Sequence, residues 1–263
     1  IGIMEIAQDF ADVLRVGGME HMTRVPMGET LINKGAIVPN MTLFMDPKYQ
    51  HWDMMTAMNM GLTAEKLFNR TDYTKEDMDK WGLRSHQLAA KAQEAGFFEG
   101  EIFPIEAEQA DGSTMLVDKD QAVRGDSTLE GIASLRPAFK KDGVITAGIS
   151  SPLNAGATSI VLMSKETAKK KGIKPLATIR SIGFAGVDPT IMGHGPVPAS
   201  QKALDKAGLK ASDIDYWEIN EAFCIVALNC IKELGLDPDR VNVMGGGTAI
   251  GHPLGATGIR LTG

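Results

Sequence analysis

Apolar and polar positions along the chain fall into three textures. In the first, "IGIMEIAQDFADVLRVGGME", the acidic residues Glu5, Asp9 and Asp12 interrupt the apolar ones. That spacing predicts an amphipathic helix over Ile3–Ala11, running into a strand at Val13–Val16, with Gly17 and Gly18 close behind. A chain that opens in mid-element leads us to expect further sequence upstream. The second texture, from residue 21 to about 143, is irregular, with helices predicted over Thr63–Asn69, Thr74–Ala95 and Thr128–Ile132. The longest of these begins "TKED", so that Thr74 can cap it and acidic residues fill its first turn. The third texture starts at Val144. "VITAG", "ATSIVLMS" and "LATIRSIGFA" read as strands, and Lys165–Lys171 as a helix stopped by Gly172. A regular alternation follows: helix Pro198–Ala207 ended by Gly208, strand Ile214–Glu218, helix Ala222–Leu234 ended by Gly235, strand Val241–Val243, and a helix from Gly255 to Leu261. Strands alternating with helices indicate a layered α/β architecture. The long middle region breaks the alternation and reads as an insertion between two α/β halves. Extended loops of that kind usually carry function.

Composition narrows the function classes. The longest apolar runs, such as Ile160–Met163, are far too short to span a bilayer, and the opening residues lack the basic start of a signal peptide. The net charge is −6, which disfavours nucleic acid as a partner, although a local basic pocket still suits a phosphorylated small molecule. The two cysteines, Cys224 and Cys230, form neither a disulfide framework nor a metal-binding spacing, so a reducing compartment is expected and no metal site. Fifteen methionines are many, and ten of them (from Met4 to Met60) fall in the first quarter, as adaptable core filler or as the lining of an acyl pocket.

Two junctions carry candidate chemistry. "NEAF", Asn220–Phe223, ends a predicted strand and opens a predicted helix, the place where open α/β sheets bind ligands. Asn220 either caps that helix or holds a water or substrate oxygen, and Glu221 suits the positive end of the helix. The second junction, "GHPLG" at Gly251–Gly255, places a single histidine between glycine and proline, ahead of a helix whose first amides point forward. His252 is therefore a candidate general base or oxyanion donor, and otherwise a packing residue. Gly245–Gly247 match neither a dinucleotide fingerprint nor a P-loop. His194, in "MGHGPVPA", reads as a surface turn residue, and His21, His51 and His86 have no supporting context. Both cysteines fall inside a predicted helix rather than at its N-terminus, where the dipole would activate a thiol. They read as small buried hydrophobes.

Taken together, "NEAF" and "GGGTAIGHPLGATG" resemble the paired C-terminal motifs of thiolases. "VGGMEHM", "MGLTAE", "LRSHQLAAKAQ", "LRPAF", "VITAGISSPLNAGATSIVLMS" and "MGHGPVPA" match in the same order along nearly the whole chain. "MNMGLTAE" and "IMGHGPVPASQKALDKAGL" are most similar to the degradative 3-ketoacyl-CoA thiolases, acetyl-CoA C-acyltransferases that serve as β subunits of fatty-acid oxidation complexes. The resemblance implies an α/β fold of five layers, αβαβα, with an inserted loop domain. Residues 1–22 and 144–175 would belong to the N-terminal half, 23–143 to the loop domain and 176–263 to the C-terminal half. It implies a homodimer or dimer of dimers, a hydratase/dehydrogenase subunit as possible partner, and no nucleic acid or membrane span. The location would be cytoplasmic in a bacterium, mitochondrial or peroxisomal in a eukaryote.

The implied reaction is thiolytic cleavage of a 3-ketoacyl-CoA to acetyl-CoA and a shortened acyl-CoA, with coenzyme A as co-substrate and no permanently bound cofactor. His252 matches the residue that activates the nucleophilic cysteine and helps form the oxyanion hole, and Asn220 the residue that positions the water completing it. Ser151 matches the contact to the pantetheine amide. Phe139, Met60, Met192, Ala222 and Phe223 match positions around the CoA tail and acyl pocket. Arg124 and Ser127 match the stretch that touches the nucleotide. The family's two catalytic cysteines match nothing in the chain, which leads us to expect a chain truncated at both ends and inactive as it stands. Asn59 replaces a histidine common in biosynthetic relatives, Ala155 replaces a usual aspartate, and Asp9–Arg15 runs tighter than the family pattern. The alternatives are a biosynthetic acetoacetyl-CoA thiolase and a non-catalytic lipid-binding or scaffold subunit.

Overall fold

A computed structural model describes residues 1–22, 45–49 and 51–263. Helix α1 spans Gly2–Ala7 and strand β1 Val13–His21. The helix stops short of the expected Ala11 because Asp9 takes a left-handed φ of 57°, turning the chain so that the Phe10 amide donates to Glu5 O. The strand runs five residues beyond the expected Val16, because all nine of its residues pair antiparallel with β4, Ala155–Met163. Among the described residues the only other sheet is a hairpin of β2, Ile105–Glu108, and β3, Thr114–Val117. It was not anticipated from the sequence. The middle segment carries the three helices expected there, as α3 Met60–Phe68, α4 Lys75–Glu94 and α5 Leu129–Ala133, and one more, α2 Met54–Ala57. Thr74 and Asp77 form a reciprocal capping box at the start of α4, as its opening residues predict, and Thr128 caps α5.

The C-terminal part holds α6 Lys165–Lys170, α7 Pro196–Ala207, α8 Cys224–Leu234, α9 Gly247–Ile250 and α10 Leu254–Thr262. Gly208 and Gly235 end α7 and α8 in the left-handed conformation. Four expected strands take another form. "VITAG" is extended through one bridge, Thr146 to Pro137, and then winds into a 3-10 turn over Ala147–Ile149. The segment expected as strand "LATIRSIGFA" pairs with no strand among the described residues. It lies against α7, where Lys206 and Lys202 donate to the carbonyls of Ile182 and Phe184. Ile214–Glu218 and Val241–Val243 meet in a single parallel bridge between Trp217 and Val241. There the Asn242 side chain does what a longer ladder would do. Its Oδ1 accepts from Ile219 N (2.7 Å) and its Nδ2 donates to Ile219 O (2.8 Å).

The main core gathers α3, α4, α8 and the loops between them, with Met78, Ile145, Ile149, Cys224, Ile225 and Val241 fully enclosed. Glu65 of α3 anchors the entry to this core. Its carboxylate accepts from the backbone amides of Val144 (2.9 Å) and Ile145 (2.9 Å), which satisfies a buried charge with main-chain donors. The β1–β4 ribbon packs on α10 through two glycines. A Cβ on Gly18 would run into the carbonyl oxygen of Gly255, and one on Gly255 into that of Met19.

Candidate active site

Glu221 organises the site. It is fully buried, and four groups donate to its carboxylate: Trp81 Nε1 (2.8 Å) and Ser85 Oγ (2.7 Å) from α4, Asn242 Nδ2 (2.7 Å), and the Thr248 amide (3.2 Å). Ser85 Oγ in turn accepts from Gly246 N at 2.9 Å. Gly245 sits at φ 84°, and a Cβ there would come within 2.6 Å of Ala89 Cβ and Ser85 O, so only glycine lets this loop lie on α4. The residue expected merely to suit a helix end is thus the clamp between "NEAF", "GGGT" and α4. Trp81, Ser85 and Ala89 recur every fourth position, a stripe that the helical period could have exposed.

Helix α8 begins at Cys224, capped at Phe223, so Asn220 is no helix cap. Its Oδ1 is buried with no hydrogen-bond partner. It faces the backbone at Gly247, where a Cβ would stand 3.2 Å away. A buried amide oxygen without a donor is the property expected of a group that holds a water or a substrate N–H. The Ser151 amide donates to Ala222 O (2.9 Å) and Ser150 bridges Phe223, which brings two of the sequence-selected segments together. Phe223 meets Phe139 edge to face, centroids 5.8 Å apart, and Phe139 packs on the backbone of Gly61, next to Met60. Ser151, Ala222, Phe223, Phe139 and Met60 therefore form one neighbourhood. Met60 and Met192 are both exposed (43% and 48%).

His252 is partly buried. Its Nδ1 lies 2.8 Å from Thr257 Oγ1, and the Thr257 hydroxyl donates to Pro253 O at 2.8 Å. A hydroxyl has one proton. With that proton spent on Pro253 O, Nδ1 must be the N–H partner and Nε2 carries the free lone pair. Burial first, and the charge of Arg260 second, hold the imidazole pKa below its ordinary value, so the neutral form is favoured. Gly251, at φ 97°, leaves room for Asn154, whose Oδ1 is buried without a partner. Neither Asn154 nor Thr257 was selected from the sequence. The position of Thr257 one turn into the helix behind His252 is the signal that could have found it.

The cysteines hold no activated thiol. Cys224 is 0% exposed, 3.4 Å from Thr248 Oγ1, and burial followed by the charge of Glu221 raises its pKa well above the ordinary value. Burial pushes Cys230 up to about 12. His194 is not a surface residue as expected: it is partly buried, with Nδ1 3.3 Å from Asn229 Nδ2 of α8. His86, passed over in the sequence, is buried, and its Nδ1 accepts from the Arg124 amide at 3.2 Å. Arg124 and Ser127 form one turn (Ser127 N to Arg124 O, 3.2 Å) that makes no hydrogen bond to the His252 or Asn220 loops. Asn59 caps α3 through Leu62 N. Among the described residues, no group of three or more His, Cys, Asp and Glu side chains could hold a metal ion, and no helix is long and apolar enough to cross a membrane.

Residues 1–166 match the family profile "Thiolase, N-terminal domain" and residues 173–263 match "Thiolase, C-terminal domain". The chain belongs to the thiolase family and has the thiolase α/β fold in part. It is 45% identical over 255 residues to a 3-ketoacyl-CoA thiolase of Marinobacter nauticus and 44% identical over 255 residues to one of Hahella chejuensis, covering 95% of this chain in each case. It spans 62% of the length of both relatives. Among solved structures, an acetyl-CoA acetyltransferase of Bacillus anthracis superposes with TM-score 0.85 at 41% identity. Human mitochondrial 3-ketoacyl-CoA thiolase superposes with TM-score 0.84 at 36% identity. Each superposition covers 99% of this chain and 66% of the other.

Proposed function

We propose that these residues are the base-and-oxyanion portion of a 3-ketoacyl-CoA thiolase. The observation that carries the reading is the state of His252, its Nδ1 proton held by Thr257, and the buried Oδ1 of Asn220, left without a partner, supports it. His252 Nε2 would take the proton from a nucleophilic thiol. The thiolate adds to the 3-keto carbon, the C2–C3 bond breaks, and its electron pair becomes the enolate of acetyl-CoA, which is then protonated. The thiolate of a second CoA displaces the enzyme cysteine from the acyl-enzyme, giving the shortened acyl-CoA. Once it has taken that thiol proton, His252 Nε2–H and a water held by Asn220 would stabilise the thioester oxyanion. Neither Cys224 nor Cys230 suits the nucleophile's part, so the reading assigns both catalytic thiols to the part of the family's length that these residues do not span.

Ser151, Ala222, Phe223, Phe139, Met60 and Met192 would line the pantetheine and acyl channel, and Arg124 and Ser127 would meet the nucleotide. Coenzyme A is the co-substrate and no permanently bound cofactor is required. A homodimer or dimer of dimers is the proposed assembly, alongside a hydratase/dehydrogenase subunit. The natural full-length protein tests the reading. His252→Ala should lower kcat by about 10²–10⁴-fold, and a loss of less than about tenfold overturns the catalytic role.

Likeness to the acetyl-CoA acetyltransferase of Bacillus anthracis supports a second reading, acetoacetyl-CoA synthesis. Rates against 3-ketoacyl-CoA substrates of increasing chain length separate the two. Cleavage of acetoacetyl-CoA alone would select the biosynthetic one.

A further inference from the structure

Helix α4 carries a second stripe beside the one that holds Glu221 and the glycine loop. His86, Ala90 and Gln93 lie about one turn apart on it and face residues 120–125. His86 Nδ1 accepts from the Arg124 amide at 3.2 Å, and Gln93 Nε2 donates to Asp120 O at 3.1 Å. Between them Gly125 lies so close that a Cβ would stand 2.6 Å from Ala90 Cβ. Three contacts thus seat a segment whose Arg124 side chain is exposed and makes no ion pair among the described residues. A ring nitrogen that accepts from an amide must be unprotonated. His86 is 8% exposed, so an imidazolium there would lose most of its hydration.

We infer that His86 is a positioning residue for the nucleotide end of coenzyme A, its neutral imidazole holding the Arg124–Ser127 turn in the place from which it meets the phosphates. The inference rests on the thiolase reading. Protonation or removal of the ring frees the turn and weakens recognition of the nucleotide. Chemistry at His252 continues, because the Glu221 clamp uses the other stripe of α4. Two charged groups face His86: Arg124 from the turn, which disfavours the imidazolium, and Glu221 from the "NEAF" loop, which favours it. Burial is the largest influence and acts with Arg124, so the pKa lies below the ordinary histidine value. The neutral ring therefore prevails at neutral pH, and release is an acid-side event.

The test uses the natural full-length protein with His86→Leu and His86→Asn, since an Asn Oδ1 stands where Nδ1 stands and does not titrate. Two thiol acceptors are compared: CoA, and pantetheine, which lacks the nucleotide. Leu should raise KM for CoA roughly three- to tenfold, the worth of one hydrogen bond, with kcat within about twofold and KM for pantetheine unchanged. Asn should restore most of the affinity. It should also abolish the rise in KM for CoA that the unmodified protein shows between about pH 7.5 and about pH 5.5. An equal rise for both thiols, or a fall in kcat at constant KM, overturns the inference. If His86→Leu does not fold, the pH profile of His86→Asn decides alone. Absence of thiolysis with either thiol sinks the activity reading only. Calorimetric titration with adenosine 3′,5′-bisphosphate at the two pH values then decides the positioning role by the same three- to tenfold criterion.

Discussion

Thr257 Oγ1 stands 2.8 Å from His252 Nδ1 and donates its own hydrogen bond to Pro253 O, so the first turn of α10 fixes which ring nitrogen of His252 is the base. An isosteric change that removes the acceptor separates this role from packing. Thr257→Val should reduce kcat by about 10–100-fold with little change in KM, and Thr257→Ser should recover most of it. Steady-state kinetics in the thiolytic direction measure both. Activity kept in Thr257→Val but lost in Thr257→Ser would show that the methyl group, not the hydroxyl, is what matters.

Proton linkage at His252 has a definite sign. Its folded pKa is lowered by burial and Arg260, while the unfolded chain titrates near about 6.5. Above that value both states are neutral and the full stability is present. As pH falls below it, the unfolded state binds the proton first, so stability declines towards the folded pKa and then levels off. His86 acts in the same direction. The acid limb of kcat/KM should therefore have its midpoint below about 6.5, with activity flat from there to neutral pH. A midpoint above about 7 is incompatible with a desolvated neutral base.

Glu221 holds four donors from three segments. Glu221→Gln substitutes an amide whose NH₂ confronts donors, leaving buried groups unpaired. The expected cost is about 2–4 kcal/mol, read as a lower urea midpoint at unchanged m. Trp81→Phe removes one donor only and should cost about 1–3 kcal/mol. Equal stability of Glu221→Gln and the parent would show that the carboxylate is not what binds the loops.

Cys224 is enclosed and un-ionised at neutral pH. Cys224→Ala should leave turnover within about twofold and cost about 1 kcal/mol, the worth of one buried methylene-sized group. Iodoacetamide inactivation traced by mass spectrometry to Cys224 contradicts this.

Gly18 and Gly255 bring β1 and α10 into backbone contact. Gly18→Ala forces the ribbon away from the helix and should destabilise by about 1–3 kcal/mol, visible in the same urea assay. Full stability in that variant means the contact is looser than its geometry indicates.

The sequence announced helices better than strands, and the reason is local. Thr74 with Asp77, Gly208 and Gly235 act within one turn, so the ends of α4, α7 and α8 could be read directly. The expected strands depend on partners far along the chain. Ala155–Met163 found one in β1, but Trp217 and Val241 found each other at one position only, and the Asn242 side chain extends that pairing. At the candidate site, the isolated His252 and the "NEAF" turn stood out by their setting. The Glu221 clamp did not, because its donors come from residues 81, 85, 242 and 248, which only folding assembles. His86 stayed hidden for the same reason, its partner being a main-chain amide that no side-chain pattern advertises.

Helix α4, 20 residues and about 30 Å long, holds the glycine loop on one stripe and the Arg124 turn on the next. A helix turns about 100° per residue, so the angle between the two stripes is set by residue count alone. Inserting or deleting one residue ahead of Trp81 swings both loops' footings together, whereas a change between Gly82 and Ser85 puts them out of phase with Trp81. Side chains on the exposed face of α4 are therefore open to exchange while its length is not, and the helix acts as a gauge whose pitch sets the two loops' relative bearing.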